Sequence, residues 1–315
     1  MTTTTNTPGT PGTPGTPQSP PAPMASAPGP LTVALRAGRT IWSNGKARAG
    51  VIILGLFLLI AIFAPVIAPY GARESGFELS ADASAAHWLG TTAAGEDVLS
   101  QLIWGSQISL LVGLAAGFFA TLIAVVVGLS WGYVRGFWSE VINFFVNLFL
   151  VIPGLPLMIV IAAYLAGGGI GMIIIVVVIT GWAWGARVLR SQTQSLRSRD
   201  FVTAAVFSGE RPSRVVFREI LPNMTSIVVG NFFGAATAAI LAEAGLEFLG
   251  LGDSTVVSWG TMLFWAQNSS ALLTGQWPLL FAPGLCIALL ATALTLINFG
   301  VDGLSNPRLR EGAER

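Results

Sequence analysis

Histidine and cysteine are almost absent: His87 and Cys286 are the only ones in 315 residues. A lone cysteine excludes an internal disulfide and leaves a cysteine-based metal site without material. The lone histidine lies in a polar segment and reads as a surface residue rather than a ligand. Metal-assisted hydrolysis and Cys/His nucleophilic catalysis therefore have almost nothing to work with, and neither a catalytic residue nor a metal ligand is expected. A GxxxxGK[ST] phosphate loop is also missing, because Gly45-Lys46 lacks the earlier glycine. No cofactor is expected on this chain, and any ATP hydrolysis belongs to another one. Charge is scarce as well, at 10% of residues against roughly 25% in soluble domains.

What is present is apolar. Hydrophobic residues make up 53% of the chain, and the mean hydropathy is +0.72. The apolar residues come in long runs, which predicts an all-α integral membrane protein, since a ~30 Å hydrocarbon core needs ~20 apolar residues in a helix. Six membrane-spanning helices are expected: 51–68, 108–134, 141–166, 170–186, 224–249 and 279–301. Residues 1–30 are a Thr/Pro/Gly-rich stretch with nothing to bury, expected as an extended, disordered tail. No basic residue precedes an apolar run there, so it does not read as a signal peptide.

Basic residues set the expected orientation. With the N-terminus inside, the cytoplasmic segments hold Arg36, Arg39, Lys46, Arg48, Arg135, every arginine from Arg187 to Arg218, and Arg308, Arg310 and Arg315. Only Arg73 falls outside, in a segment that carries Glu74, Glu78, Asp82, Glu96 and Asp97. Both termini are expected in the cytoplasm of a multi-pass protein of the cell membrane.

Polar features inside the spans are few. Glu243 and Glu247 stand four apart on one helical face. Glu243 reads equally well as a gate or cavity residue and as a buried structural one. For Glu247 a hydrogen bond to a neighbouring loop near the outer interface is favoured. The VIPGLP run at 151–156, with Pro153, predicts a packing kink, with a broken helix beside a substrate path as the alternative. Gly167-Gly168-Gly169 predicts a tight external turn.

The longest polar, arginine-rich interruption runs from Ser195 to Asn223. It contains Thr203-Ala204-Ala205, then Gly209, then Leu221-Pro222. Small residues allow close approach to a partner, Gly209 allows a turn that a Cβ would hinder, and Pro222 suits the first turn of the next span. A basic loop held by anionic lipid fits the same composition.

This pattern resembles the EAA loop of the membrane subunits of ABC importers, with Thr203 where that family usually has Glu. FREILPN at 217–223 is similar to the form found in the dipeptide/oligopeptide (DppC/OppC-like) branch. HWLGTTAAGEDVLSQLIWGSQISLLVG at 87–113, WGARVLRSQTQSLRSRDFVTAA at 184–205, AILAEAGLEFLGLG at 239–252, SWGTML at 258–263 and NPRLR at 306–310 resemble that branch in the same order. The resemblance covers roughly residues 45–310.

It implies a type I ABC importer transmembrane fold, with an anchor, first span and external loop at 31–107, a five-span core at 108–302 and a tail at 303–315. It implies a non-catalytic permease subunit that pairs with a homologous permease, binds two ABC ATPase subunits carrying ATP and magnesium, and receives di- or oligopeptides from an external binding lipoprotein. Contact with nucleic acid is not expected. Thr203, Ala204, Ala205 and Gly209, with Leu221 and Pro222, would form the ATPase-docking element, flanked by Arg211, Arg214 and Arg218 as charge-pair candidates. Asn147, at a position often Asp in the family, joins Pro153 and Glu243 as a candidate for the gate or cavity. Thr92 and Glu96 replace the common Asp and Arg of the external segment. The same architecture also suits oligosaccharides or nickel chelates; a stand-alone ion-coupled carrier fits less well.

Overall fold

The computed structural model describes residues 44–165 and 168–305, with side chains described as far as residue 301. The expected tail, Arg36, Arg39, Gly167, Arg308, Arg310 and Arg315 lie outside the described residues. Within them the regular elements are helices, apart from one bridge between Thr91 and Asp97. The helices are α1 (Gly45–Ile62), α2 (Ala64–Ile67), α3 (Val98–Tyr133), α4 (Phe137–Val151), α5 (Gly154–Tyr164) and α6 (Gly169–Arg197). They continue with α7 (Asp200–Phe207), α8 (Pro212–Arg214), a π-helical turn Val215–Ile220, a 3-10 turn Leu221–Met224, α9 (Thr225–Phe248), α10 (Trp259–Asn268) and α11 (Pro278–Ser305).

Among these, α1, α3, α6, the run Pro212–Phe248 and α11 are long and apolar enough to cross a membrane. A sixth crossing exists only if α4 and α5 count as one span, and they meet at 91°. This corrects the expected kink to a full break. Pro153 has no amide proton to donate, and its ring drives Ile152 out of the helical region to ψ 128°. α5 then starts afresh with Pro153 as its cap.

The helix ends also move. α3 begins ten residues before the expected span, because Asp97 caps it by accepting from the Ser100 amide at 2.8 Å. Asn44 caps α1 in the same way through the amides of Lys46 and Ala47. α6 runs on to Arg197, well past the apolar stretch that ends near Ala186.

Helix α3 is the central post. It packs chiefly against α6 and α9, while α9 also packs on α11 and α11 on α1. Glycines permit the closest crossings. A Cβ on Gly117 would lie 2.7 Å from the Cα of Ala236, and one on Gly128 would lie 2.7 Å from the carbonyl oxygen of Ala186. Gly113 and Gly117 thus form a small-xxx-small face toward α9, and Gly128 and Gly132 a second one toward α6. Close backbone approach supplies the packing that burial from water supplies in soluble proteins.

The segment before α3 folds back on itself. His87 packs in a three-ring cluster with Tyr70 and Phe77, and its Nδ1 lies 2.9 Å from Asp97 Oδ1. Its side chain is 13% exposed, so the expected surface histidine is a packed one. Arg73 donates from Nε to the Thr255 carbonyl at 3.0 Å and approaches Glu96 at 3.7 Å, tying this segment to the turn before α10. Glu96 also accepts from Gln101 Nε2 at 2.6 Å. In that turn the Thr255 hydroxyl and amide hold the Asp253 carboxyl below the usual carboxylate range. Arg73, Thr92, Glu96, Gln101 and Trp265 border a cavity of about 430 Å³ here.

Candidate functional site

The polar segment from Ser195 to Asn223 is helical almost throughout. After α6 the chain turns at Ser198 and Arg199 into α7, which carries Thr203, Ala204 and Ala205. The helix closes with a Schellman pair: the Gly209 amide donates to the Val206 carbonyl at 3.0 Å and the Glu210 amide to the Ala205 carbonyl at 3.2 Å. This geometry puts Gly209 at φ +78°, a region that residues with a Cβ enter at a cost. A Cβ there would meet nothing within 4 Å, so the requirement is conformational and not one of space.

One side of α7 is anchored and the other is open. Val202 is 1% exposed and belongs to the buried cluster that includes Leu129 of α3, Leu189 of α6 and Val215, Val216 and Ile220 of the π turn, on which α7 chiefly packs. Thr203 and Ala204 are exposed and Ala205 half-buried. Thr203 spends its hydroxyl on the Arg199 carbonyl of its own helix at 3.2 Å. Phe207 is 86% exposed and Val206 is exposed beside it. Sequence reasoning fixed on the small residues and passed over Phe207; a phenyl ring beside the glycine in an otherwise polar segment was the available signal.

Leu221 and Pro222 were expected to end the segment, with Pro222 in the first turn of the next span. Pro222 does stand in the first turn of the 3-10 helix that leads into α9, but the backbone before it is already helical, in a π turn. Pro222 cannot donate to the carbonyl four residues back, and its ring needs room there. Widening the preceding turn to π geometry makes that room, and Asn223 Nδ2 satisfies the Glu219 carbonyl at 2.7 Å. Arg211, Arg214 and Arg218 collect around one groove of about 590 Å³ that also holds Glu210 and Phe217. Arg214 Nε pairs with Glu210 Oε2 at 3.0 Å, within the segment itself.

The three path candidates fall in separate places. Glu243 is fully buried where α3, α9 and α10 meet, and accepts from the Ser109 hydroxyl at 3.2 Å. Ser109 also accepts from the Trp259 amide at 3.2 Å. Glu247, 2% exposed, accepts from the Ser258 hydroxyl that caps α10. Asn147 on α4 accepts from Arg187 on α6 and donates to the Asn143 carbonyl at 2.8 Å. Pro153 stands at the α4–α5 break.

Glu247 is thus part of the joint that seats α10 on α9. A Glu247→Ala variant leaves the buried Ser258 hydroxyl only the long contact to Thr261 Oγ1 at 3.4 Å, at a cost of about 1–3 kcal/mol. Glu247→Gln keeps an oxygen in place and should lose less. Thermal unfolding of the purified protein in detergent checks this; equal behaviour of both variants and the parent contradicts it.

A separate, open groove of about 460 Å³ lies between α6, α9 and α11, lined by Trp184, Asn231, Asn298 and small residues such as Gly185 and Gly234. Asn231 Nδ2 is held by Thr121 Oγ1 at 3.1 Å.

Apolar helices around α3, with an exposed helical segment seated between two of them, define a polytopic membrane protein. Comparison with known proteins assigns the family. Residues 124–311 match the binding-protein-dependent transport system inner membrane component family, and residues 36–81 match the N-terminal transmembrane domain of oligopeptide transport permease C. The chain is 32% identical over 278 residues to the dipeptide transport system permease protein DppC of Bacillus subtilis (strain 168), covering 87% of this chain and 85% of that one. It is 33% identical over 273 residues to the oligopeptide transport system permease protein OppC of the same organism, covering 85% and 88%. A probable peptide ABC transporter permease protein, y4tQ of Sinorhizobium fredii (strain NBRC 101917 / NGR234), is 35% identical over 257 residues, covering 81% and 87%. The chain belongs to the family of binding-protein-dependent transport system inner membrane components, and it is a membrane-embedded permease subunit of an ABC transporter.

Proposed function

We propose that this permease forms, with a homologous permease subunit, the translocation path for di- and oligopeptides delivered by an external substrate-binding lipoprotein. Two ABC ATPase subunits hydrolyse ATP on the cytoplasmic side, and this chain carries no catalytic group of its own. The names of its relatives support the peptide assignment. The arginine distribution supports cytoplasmic termini and a position for α7 on the ATPase side.

The observation that carries the reading is the two-sided build of α7. Val202 roots the helix in the packing of α3, α6 and the π turn, while Phe207, Val206 and Ala204 face outward. A helix that seats on an ATPase through its outer side and is fixed to the spans through its inner side transmits motion. ATP-driven closure of the ATPase pair pushes on α7, and α3 and α6 move with it. The path then alternates between inward and outward access. Loaded binding protein and ATP shift this equilibrium only because both bind the outward state better.

Cys286 can be replaced by alanine to give a cysteine-free background. In that background Ala205→Cys is expected to crosslink to an ATPase subunit when the transporter is assembled. Labelling of Ala205→Cys by a membrane-impermeant reagent from outside intact cells overturns the orientation and the docking assignment together.

A further inference from the structure

The groove between α6, α9 and α11 shares no residue with the docking segment, and all that line it belong to helical runs long and apolar enough to cross a membrane. We propose that it binds the main chain of the transported peptide. The side-chain amides of Asn231 and Asn298 pair with peptide N–H and C=O groups, and Trp184 covers the cargo's side chains. This rests on the reading of the chain as a peptide permease and names the residues that meet the cargo.

Three observations carry this. First, the groove holds polar groups without partners. Among the described residues, the Asn298 amide and the Trp184 indole N–H make no hydrogen bond within the chain. Asn231 gives one amide hydrogen to Thr121 Oγ1 at 3.1 Å, which leaves its Oδ1 and its second hydrogen free. Hydrocarbon offers such groups nothing in exchange for water, so in a span they face a water-filled path or a polar ligand.

Second, small residues keep the amides open to a ligand. A Cβ on Gly185 would collide with the Asn231 side chain, and one on Gly234 would stand 3.6 Å from Asn298 Nδ2. The volume of about 460 Å³ falls within the roughly 300–1,000 Å³ of small-ligand sites, and Trp184, 64% exposed, supplies an apolar wall.

Third, none of the described side chains that line the groove is charged. A charged wall would select cargo by the opposite charge. Amides read what every peptide shares, its main chain, and that suits cargo whose side chains vary. A span of the second permease could also lie against these small residues. The main-chain groups of a helix are already paired with one another, however, whereas an extended peptide presents its own unpaired. The free amides of Asn231 and Asn298 therefore favour the peptide.

The test uses the complete transporter with its binding protein in proteoliposomes. It reads uptake of tetra-alanine and of the same peptide N-methylated at each internal amide in turn. Asn298→Leu is expected to cut tetra-alanine uptake roughly 2–13-fold, the net worth of one hydrogen bond. It should leave uptake of at least one N-methylated form near the parent's value for that form. Both peptides travel with the same binding protein, so comparing variant with parent cancels that protein's own preference. Asn298→Gln, which keeps an amide, should recover part of the loss. In the cysteine-free background, Ala238→Cys should react with a water-soluble thiol reagent; no reaction overturns the open groove. Equal losses for tetra-alanine and every N-methylated form overturn main-chain recognition. Loss of the second permease on purification of Asn298→Leu overturns it too, and assigns the groove to the subunit interface. A parent transporter that imports no peptide overturns the peptide reading itself, an outcome distinct from the other three.

Discussion

Replacing Gly209 with valine is expected to cut peptide import and substrate-stimulated ATP hydrolysis together, while the protein still reaches the membrane. The residue sits at φ +78°, where an L side chain costs roughly 1–2 kcal/mol and a β-branched one fits worst. The cost falls on the Schellman closure of α7, since a Cβ at Gly209 meets no neighbour within 4 Å. The bundle is not disturbed, because Val202 and the spans keep their packing. If the closed form of α7 is the one that docks, its population falls and apparent affinity for the ATPase falls with it. A penalty of that size corresponds to a roughly 5–30-fold loss. Gly209→Asn is expected to lie between, since asparagine tolerates the left-handed region. Uptake and ATPase rates in reconstituted vesicles, with co-purification of the ATPase subunit, read this out. Parental coupling in Gly209→Val would falsify the docking role of this turn.

Apolar run length gave the helical class and most span centres, because a bilayer imposes length on sequence directly. Helix ends were harder to read. The start of α3 is set by Asp97 accepting from Ser100, and the end of α6 by helix that continues after hydrophobicity stops; hydropathy reports neither. VIPGLP was visible as a disturbance, but the difference between a kink and a 91° break depends on whether neighbours resatisfy the freed carbonyls. The segment 195–223 stood out by its arginines, but the helical run from Pro212 into α9 did not, since Leu-Pro reads as an end to the segment. Gly209 was legible as a turn residue and Phe207 was not, because exposure of a phenyl ring is a tertiary fact. The hydrogen bond expected from Glu247 to a neighbouring loop is there, but its partner, Ser258 eleven residues on, is one that no periodicity specifies.

Helix α3 carries a pattern that sequence reasoning passed over and that sets its close crossings with α9 and α6: Gly113-xxx-Gly117 followed by Gly128-xxx-Gly132. Replacing Gly117 with alanine is expected to destabilise the bundle by about 1–3 kcal/mol, lowering the unfolding midpoint by roughly 3–10 °C. Gly117→Leu should leave little folded protein. The added Cβ would stand 2.7 Å from the Cα and 2.8 Å from the nitrogen of Ala236, and backbone in a packed helix cannot step aside. Gly55 of α1, with nothing within 4 Å of its Cβ position, should accept alanine without loss. The nature of the obstacle sharpens the prediction. At Gly113 the nearest atoms all belong to the Ile240 side chain, so Ile240→Ala should restore much of what Gly113→Ala loses. At Gly117 the obstacle is mainly backbone, so Ala236→Gly should restore little. Double-mutant cycles on thermal unfolding distinguish the two, and equal rescue at both positions would show that α3 and α9 yield as whole helices rather than meeting at fixed backbone contacts.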